Sequence, residues 1–555
     1  MSTTTLSPTA TCTPTTTTTV STWCPTWCPP GRTAVNPWII AGVVVVPTFM
    51  EILDTTVANV ALRYMAGGLS TAQKDAEWII TSYLAANAIV LPITGWLSAH
   101  LGRRNYFLLS VGVFTLASAM CGFATSLPQM ILFRVIQGLS GGGLQPCSQG
   151  ILMDSFPPEK QGTAMTLFGL AAIIAPVVGP TLGGWLCVDC NWRWIFLVNV
   201  PMGLVALVGA YAVVDDPAYL KQERAELSRR PLNFDSIGLG LLVLAMCCWE
   251  IMLSKGQEWD WLGDPFGRVQ TLMILFVLGL GLLIVREMRC ASPIINFRVL
   301  GERNFAVCCV IFFCAFAVVY CASMALPMML QALYGYDALV SGLAMSPSGV
   351  SSMAAMVVAG ILLGRQFDAR WMIAIGLAVM AAGNYWMTRM NLEVGFWQVI
   401  WPRMVLTLGL GLLFAPTSVA AYKYIPVHLR GAAVGLFSLL RTEGGSVGTS
   451  MSQTIQDPRQ QFHLSRLGEN LGPLNPHVQS FLQQTREFFL QWTGDPARSQ
   501  QLAVQTLDGL RQQQAASLAF FDIFWLCAVL SAALVILVLL MKRSVAEKGE
   551  HIGAE

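Results

Sequence analysis

Charge is what this sequence has least of: only 12% of its 555 residues are Asp, Glu, Lys or Arg, against roughly 25% in an ordinary soluble domain. With 54% of the residues apolar, the composition is that of a membrane protein. A net charge of +2, with no basic stripe or tail, argues against a nucleic-acid partner. Histidine is scarce too: the five are scattered, with no pair at metal spacing, and neither a Walker A loop nor a nucleophile elbow is present. An ATP-driven pump or a membrane hydrolase is therefore unsupported, and neither a metal nor a cofactor is expected. Most of the fifteen cysteines lie in apolar runs (Cys247, Cys248, Cys308, Cys309, Cys314), where a thiol behaves as a small hydrophobe. Cys187 and Cys190 flank a short loop, CVDC, and read as unpaired thiols ahead of a disulfide or a metal, because a zinc site needs four ligands and no second pair is near.

What the chain has instead is apolar length. Runs such as NPWIIAGVVVVPTFM, IFFCAFAVVYCASMALPMML and DIFWLCAVLSAALVILVLLM reach or join into the roughly 20 residues that cross a bilayer. Fourteen spans follow, centred near residues 50, 88, 116, 141, 174, 204, 245, 278, 315, 351, 379, 411, 442 and 529, numbered 1 to 14 below. The fold class is an all-α polytopic membrane protein. Basic residues collect in alternate loops (Arg103 and Arg104; Lys221, Arg224, Arg229 and Arg230; Arg286, Arg289, Arg298 and Arg303; Arg365 and Arg370; Lys542 and Arg543), which places both termini in the cytoplasm. Residues 1–36 are Thr- and Pro-rich without periodicity, a disordered tail lacking the pattern of a cleaved signal. Residues 456–515, Gln-rich with Gly, Pro and Asn turns, read as two short amphipathic helices outside the membrane.

An internal repeat sets the domain plan. Arg134 matches Arg403, Gly162 matches Gly431 and Phe168 matches Phe437, all at one offset of 269. Parallel repeats with a site at their interface are one way secondary transporters are built. The expected units are a six-helix bundle at 37–215, linkers with inserted spans 7 and 8 at 216–303, a second six-helix bundle at 304–541 and a cytoplasmic tail at 542–555.

Against this apolar background the few polar residues carry the chemistry. Glu51 and Asp54 share a face of span 1, followed by Asn59. An ionisable group at bilayer depth costs roughly 2.5–3.5 kcal/mol on insertion scales, so it normally faces a cavity or a partner. Asp54, deeper in the run, is the first candidate for a proton-coupling acid, and Glu51 is a second proton site or a substrate contact; a purely structural carboxylate is the alternative for both. Arg134, early in span 4 and close to Gln137, is the expected partner of Asp54. Span 13 offers Arg441 and Glu443, a second buried charge pair whose i, i+2 spacing turns them to different sides. Span 5 holds APVVGPTLGG, with Pro176, Gly179, Pro180, Gly183 and Gly184: prolines that kink a helix and glycines that permit close contact. GWLSAHLGRR, with Gly95, Gly102, Arg103 and Arg104, closes span 2 with a turn and a basic cluster.

Together these stretches resemble the fourteen-helix drug:proton antiporters of the major facilitator superfamily, EmrB/QacA type, and most closely the EmrB-type inner-membrane subunits of tripartite efflux systems. LDTTVANVAL is similar to the first-helix signature, GWLSAHLGRR to the loop 2–3 motif, RVIQGLSGGGLQP to the fourth-helix motif and APVVGPTLGG to the antiporter motif. NWRWIFLVNVPMG resembles the stretch entering helix 6. Two departures stand out: Ala99 where the loop motif often has an acid, and Glu443 where the family is commonly apolar. The resemblance implies an inner-membrane exporter of hydrophobic or amphipathic compounds, driven by a proton gradient and coupled through Asp54, Glu51 and Arg134. It also implies a periplasmic membrane-fusion adaptor and an outer-membrane channel as partners, with 456–515 as the docking surface. The rival is a proton symporter, or a narrow exporter of an endogenous metabolite or siderophore.

Overall fold

The computed structural model describes residues 36–543 except 217–219, 222–223, 226–234, 291–292, 337, 392–394, 427–428, 470 and 473–474. The expected tail at 1–36 thus falls outside the described residues but for Asn36, and so does most of 542–555. Among the described residues there is no strand. Helices stand at all fourteen expected places. In the first half they are Pro37–Gly68, Trp78–Leu101, Arg103–Gly122, Leu127–Gly141 continued by Leu144–Ser155, Pro158–Trp185 and Asn199–Val213. The inserted pair is Ser236–Lys255 and Arg268–Arg289. The second half has Arg303–Leu333, Pro347–Gly364, Ala369–Met387, Phe396–Tyr422, Arg430–Glu469 and Pro496–Val538.

Eleven candidate membrane spans are long and apolar enough to cross a bilayer by composition. The other three helices carry polar groups that they bury inside the protein. Span 13 holds Arg441 and Glu443, and span 11 holds Asn384, all buried. Span 4 is interrupted at Gly142–Gly143 because Pro146, four residues on, has no N–H for the Gly142 carbonyl. The Thr94 hydroxyl approaches that carbonyl at 3.5 Å, so the freed acceptor is met from span 2.

Span 2 also meets span 13 across the two halves, where a side chain at Gly435 would come within 2.8 Å of the Leu91 carbonyl. The inserted pair leans on this seam through span 7, whereas only 17% of the apolar window of span 8 is buried.

The stretch 456–515 departs from the expected pair of short helices. Span 13 runs on unbroken to Glu469 through Pro458, and span 14 begins at Pro496, leaving a single separate helix, Pro476–Thr493, between them. At about 1.5 Å per residue, helices of 40 and 43 residues are roughly 60 Å long, about twice a hydrocarbon core of roughly 30 Å. The two extensions are joined by Asp522, which meets Arg459 at 2.6 Å and His463 at 2.7 Å, and by Arg511 donating to the Leu464 carbonyl at 3.0 Å. Such side-chain links let the chain continue as helix past the point where apolar composition ends.

Carboxylates staple both ends of the inserted hairpin. Asp235 caps span 7, accepting from Gly238 N at 2.9 Å, and pairs with Arg286 of span 8 at 2.8 Å. In the connecting loop Asp264 accepts from the backbone N of Arg268 at 2.6 Å and from its guanidinium at 3.1 Å. The Arg268 side-chain hydrogen bonds, helped by the amides of Phe266 and Arg268, hold the Asp264 carboxyl at about 2, below the ordinary 3.8. A carboxyl depressed by folding contributes stability that is complete well above 3.8 and is lost as pH falls through about 2. Asp264→Asn is therefore expected to lower the melting temperature of the detergent-solubilised protein at neutral pH. The gap from wild type should close as the pH falls below 3.8, and thermal melts across that range measure it.

Candidate functional site

Asp54 and Arg134 meet as the sequence predicts. Arg134 Nη1 lies 2.6 Å from Asp54 Oδ2, and the two residues are 0% and 2% exposed. The pair sits in a ring of polar groups. Gln137, one turn after Arg134, accepts from Arg134 Nη1 at 2.8 Å and donates to Asp54 Oδ1 at 3.0 Å. Asn199, at the start of span 6, donates to the same Oδ1 at 2.8 Å. Arg134 Nε reaches the Ile79 carbonyl at 3.2 Å, and the guanidinium carbon stands 4.5 Å from the Tyr83 ring and 5.3 Å from that of Phe196. Asp54 thereby takes three donors and Arg134 two aromatic faces, the arrangement a buried ion pair needs to offset its lost hydration.

Spans 1, 2, 4 and 6 can converge on this point because glycine brings them close. Gly138 faces the Tyr83 carbonyl so tightly that no Cβ fits, and a Cβ at Gly142 would lie 2.7 Å from the Asn87 carbonyl. From span 5, Gly179 abuts Thr56 and Gly183 abuts Val57, so the antiporter-like motif packs on the helix that carries Asp54. Gly184 faces open space. The helix passes through Pro176 and Pro180 without interruption and ends in a π-helical turn, Leu186–Cys190; the side chain of Pro180 lies outside the described residues. Cys187 and Cys190 are both free thiols. A cleft of about 500 Å³ opens between Ile174, Val178 and Leu182 of span 5 and Val350 and Met353 of span 10; it is apolar, and none of the acids lines it.

Glu51 shares the face of Asp54 but stays outside that ring. Its Oε1 accepts from Asn87 Nδ2 at 3.0 Å, and its buried Oε2 has no partner among the described residues. The side chain of Asn59 lies outside the described residues. Arg441 and Glu443 turn apart as their spacing requires, and they are not an ion pair with each other. Arg441 stands 5.7 Å from the Phe316 ring and acts electrostatically across the bundles on Glu51. Glu443 faces span 7, accepting from Trp249 Nε1 at 2.7 Å.

The second half repeats the cation without the acid. Arg403 donates to Ser323 Oγ at 2.5 Å, and Ser323 follows Asp54 at the same offset of 269 that relates Arg403 to Arg134. Arg403 Nε and Nη1 are left without partners among the described residues.

After span 2, Gly102 adopts a positive φ of 84° and turns the chain so that Arg103 and Arg104 reach neighbouring helix ends. Arg103 pairs with Asp154 in the last turn of span 4, while Arg104 offers its backbone N to Asp216 at 2.7 Å and its guanidinium to the Tyr211 carbonyl at 2.8 Å. The acids absent at Ala99 are thus supplied by Asp154 and Asp216. Gly95, in the same motif, packs against the backbone at Gly431, binding span 2 to span 13. Three buried polar positions escaped the sequence reading: Asn199, Asn87 and Glu250. Glu250 carried the same signal as Asp54, an acid inside an apolar run.

The Major Facilitator Superfamily model matches residues 45–449. The chain is 35% identical over 483 residues to the multidrug export protein EmrB of Haemophilus influenzae, covering 87% of this chain and 91% of that protein. It is 34% identical to EmrB of Escherichia coli, covering 79% of this chain and 83% of the relative. It is also 32% identical to the fatty acid resistance protein FarB of Neisseria gonorrhoeae, covering 77% and 82%. Among solved structures, the human organic anion transporter MFSD10 superposes with a TM-score of 0.57 at 11% identity, over 91% of this chain and 100% of that one, a likeness of fold. With its repeated halves and its many apolar helices, the chain belongs to the Major Facilitator Superfamily as an EmrB-like, multi-pass membrane transporter.

Proposed function

We propose that the protein is a proton-coupled antiporter that exports hydrophobic or amphipathic toxic compounds across the bacterial inner membrane. The observation that carries the reading is the Asp54–Arg134 pair, closed off from solvent inside the first bundle at 2.6 Å. Arg134, Gln137 and Asn199 surround the Asp54 carboxyl with donors, and parting it from Arg134 in a low-dielectric interior removes the one cation that compensates its charge. A rocking of the two bundles that separates spans 1 and 4 thus loads the proton, and re-pairing expels it. In this reading substrate binds between the bundles, where buried Glu51 of the first and Arg441, beside the Phe316 ring, of the second supply a mixed apolar and polar wall suited to varied ligands. The names of the relatives, multidrug export proteins and a fatty acid resistance protein, support this substrate class. The alternating basic loops support cytoplasmic termini, and the extensions of spans 13 and 14 support a periplasmic adaptor seat leading to an outer-membrane channel.

Everted vesicles with an acid lumen test the reading. Wild type should drive a lipophilic dye into the lumen, and Asp54→Asn should abolish that flux while dye binding persists; equal flux in both, or flux in the opposite direction, overturns it. A second prediction concerns the pair itself. Arg134→Gln leaves Asp54 buried without its cation and should lower stability by about 3–5 kcal/mol. Asp54→Asn strands the buried Arg134 guanidinium, which has no proton it can give up, and should cost at least as much, as denaturation in detergent would register.

A further inference from the structure

A second acidic pair lies outside the ring around Asp54. Glu250 of inserted span 7 and Glu443 of span 13 are 2% and 5% exposed, and they lie on facing turns of two helices that exchange hydrogen bonds at this level. Each also takes a donor from the opposite helix: Trp249 Nε1 gives to Glu443 Oε2 at 2.7 Å, and Ser446 Oγ gives to Glu250 Oε1 at 3.1 Å. Glu443 Oε1 is buried with no donor from any other described group. A carboxylate has no proton to give, so two buried carboxyls on facing turns can bond to each other only through a proton held between them.

The charges nearby do not remove that need. No cation is among the groups acting on either carboxyl. On span 7, Lys255 pairs with Glu77 at 2.7 Å and Glu258 at 2.8 Å. On span 13, Arg441 points to Phe316 and Glu51 instead. Cys247 is the other titratable neighbour of Glu250, and a thiol brings no positive charge. Two like charges in contact in such surroundings cannot both persist, and the protons of such a dyad belong to the pair rather than to either residue.

We propose that Glu250 and Glu443 form a second proton-binding site, a carboxyl dyad whose shared proton latches the inserted helix pair to span 13. Glu250 lies five residues before the periplasmic end of span 7 at Lys255, about 7.5 Å along the helix, so the dyad exchanges its proton from that side. Trp249 stacks on Phe276 of span 8 with ring centroids 4.6 Å apart, bringing the whole hairpin under the latch. Above the dyad the seam continues through Trp261 Nε1 to Thr454 at 3.1 Å and Gln257 to Asp457 at 3.2 Å, on the part of span 13 that leads into its extension. With the proton present the seam is closed; its loss puts two carboxylates face to face and drives spans 7 and 13 apart.

The site is read without transport, so it stands or falls independently of the antiport assay. Infrared difference spectra of the full chain in lipid, titrated with acid and base, should show the carbonyl stretch of a protonated carboxyl that remains in Asp54→Asn. Either Glu250→Gln or Glu443→Gln alone should leave one buried carboxyl whose band is shifted in frequency and is lost at lower pH than in wild type, since no like charge remains to help hold its proton. Hydrogen exchange should then separate structure from titration: amides along the 257–261 and 454–457 seam should exchange at least tenfold faster in wild type at alkaline pH. In the Glu250→Gln, Glu443→Gln double variant, whose amides supply donors at every pH, the rates should stay constant. A band that titrates at the wild-type pH in each single variant, a band absent from wild type at every pH, or a seam whose exchange is independent of pH in wild type overturns the proposal.

Discussion

The Asp54–Arg134 ion pair is the constraint around which the first bundle is organised. Bringing two charges out of water costs several kcal/mol per ion even after relaxation, and attraction alone returns this only with good geometry and with the remaining donors and lone pairs filled. The bundle meets that condition from three helices: span 4 contributes Gln137, span 6 Asn199, and span 2 the Ile79 carbonyl and the Tyr83 ring. Arg134 Nη2 and Asn199 Oδ1 remain unfilled among the described residues. A ring closed except for one donor and one acceptor is stable enough to exist and loose enough to be opened.

Close helix packing is a consequence of that ring. Side chains as short as Asp and Asn can meet only if their backbones nearly touch, and glycines make that approach: Gly138 and Gly142 bring span 4 onto span 2, and Gly179 and Gly183 bring span 5 onto span 1. In lipid, where apolar side chains gain little by leaving their surroundings, small residues are the means by which helices associate tightly. The glycine motifs and the charged motif are therefore parts of a single structural device.

Much of this was legible in the sequence because lipid penalises polar groups. Asp54 and Arg134 stood out as costly, and mutual pairing was the simplest way to offset both. The same logic reached Glu51, Arg441 and Glu443 but not their partners, because Asn87 and Asn199 are neutral and an amide in an apolar run is a weaker signal than a charge. It failed to pair Arg441 with Glu443, since each was satisfied from another helix. The extensions of spans 13 and 14 were illegible for another reason. Outside the membrane no apolar run marks a helix, and continuity past Pro458 depends on long-range links such as Asp522 to Arg459 and His463, which no local pattern announces.

The repeated halves make their difference informative. A duplicated bundle begins with two equivalent sites, and here the Arg survives in both while the acid survives in one: Asp54 faces Arg134, Ser323 faces Arg403. Tyr320 likewise takes the place of Glu51 at the same offset. A serine hydroxyl anchors a guanidinium without offering it a titratable partner, so Arg403 is held in place and carries no switch. The second half has not remained without acid. Glu443, turned away from that position toward the inserted helices, meets Glu250 where the duplicated plan has no counterpart. The protein thus keeps its inherited acid in the first bundle and places its other buried carboxyl pair on the seam that the insertion created, which separates the two sites by helix and by side of the bundle.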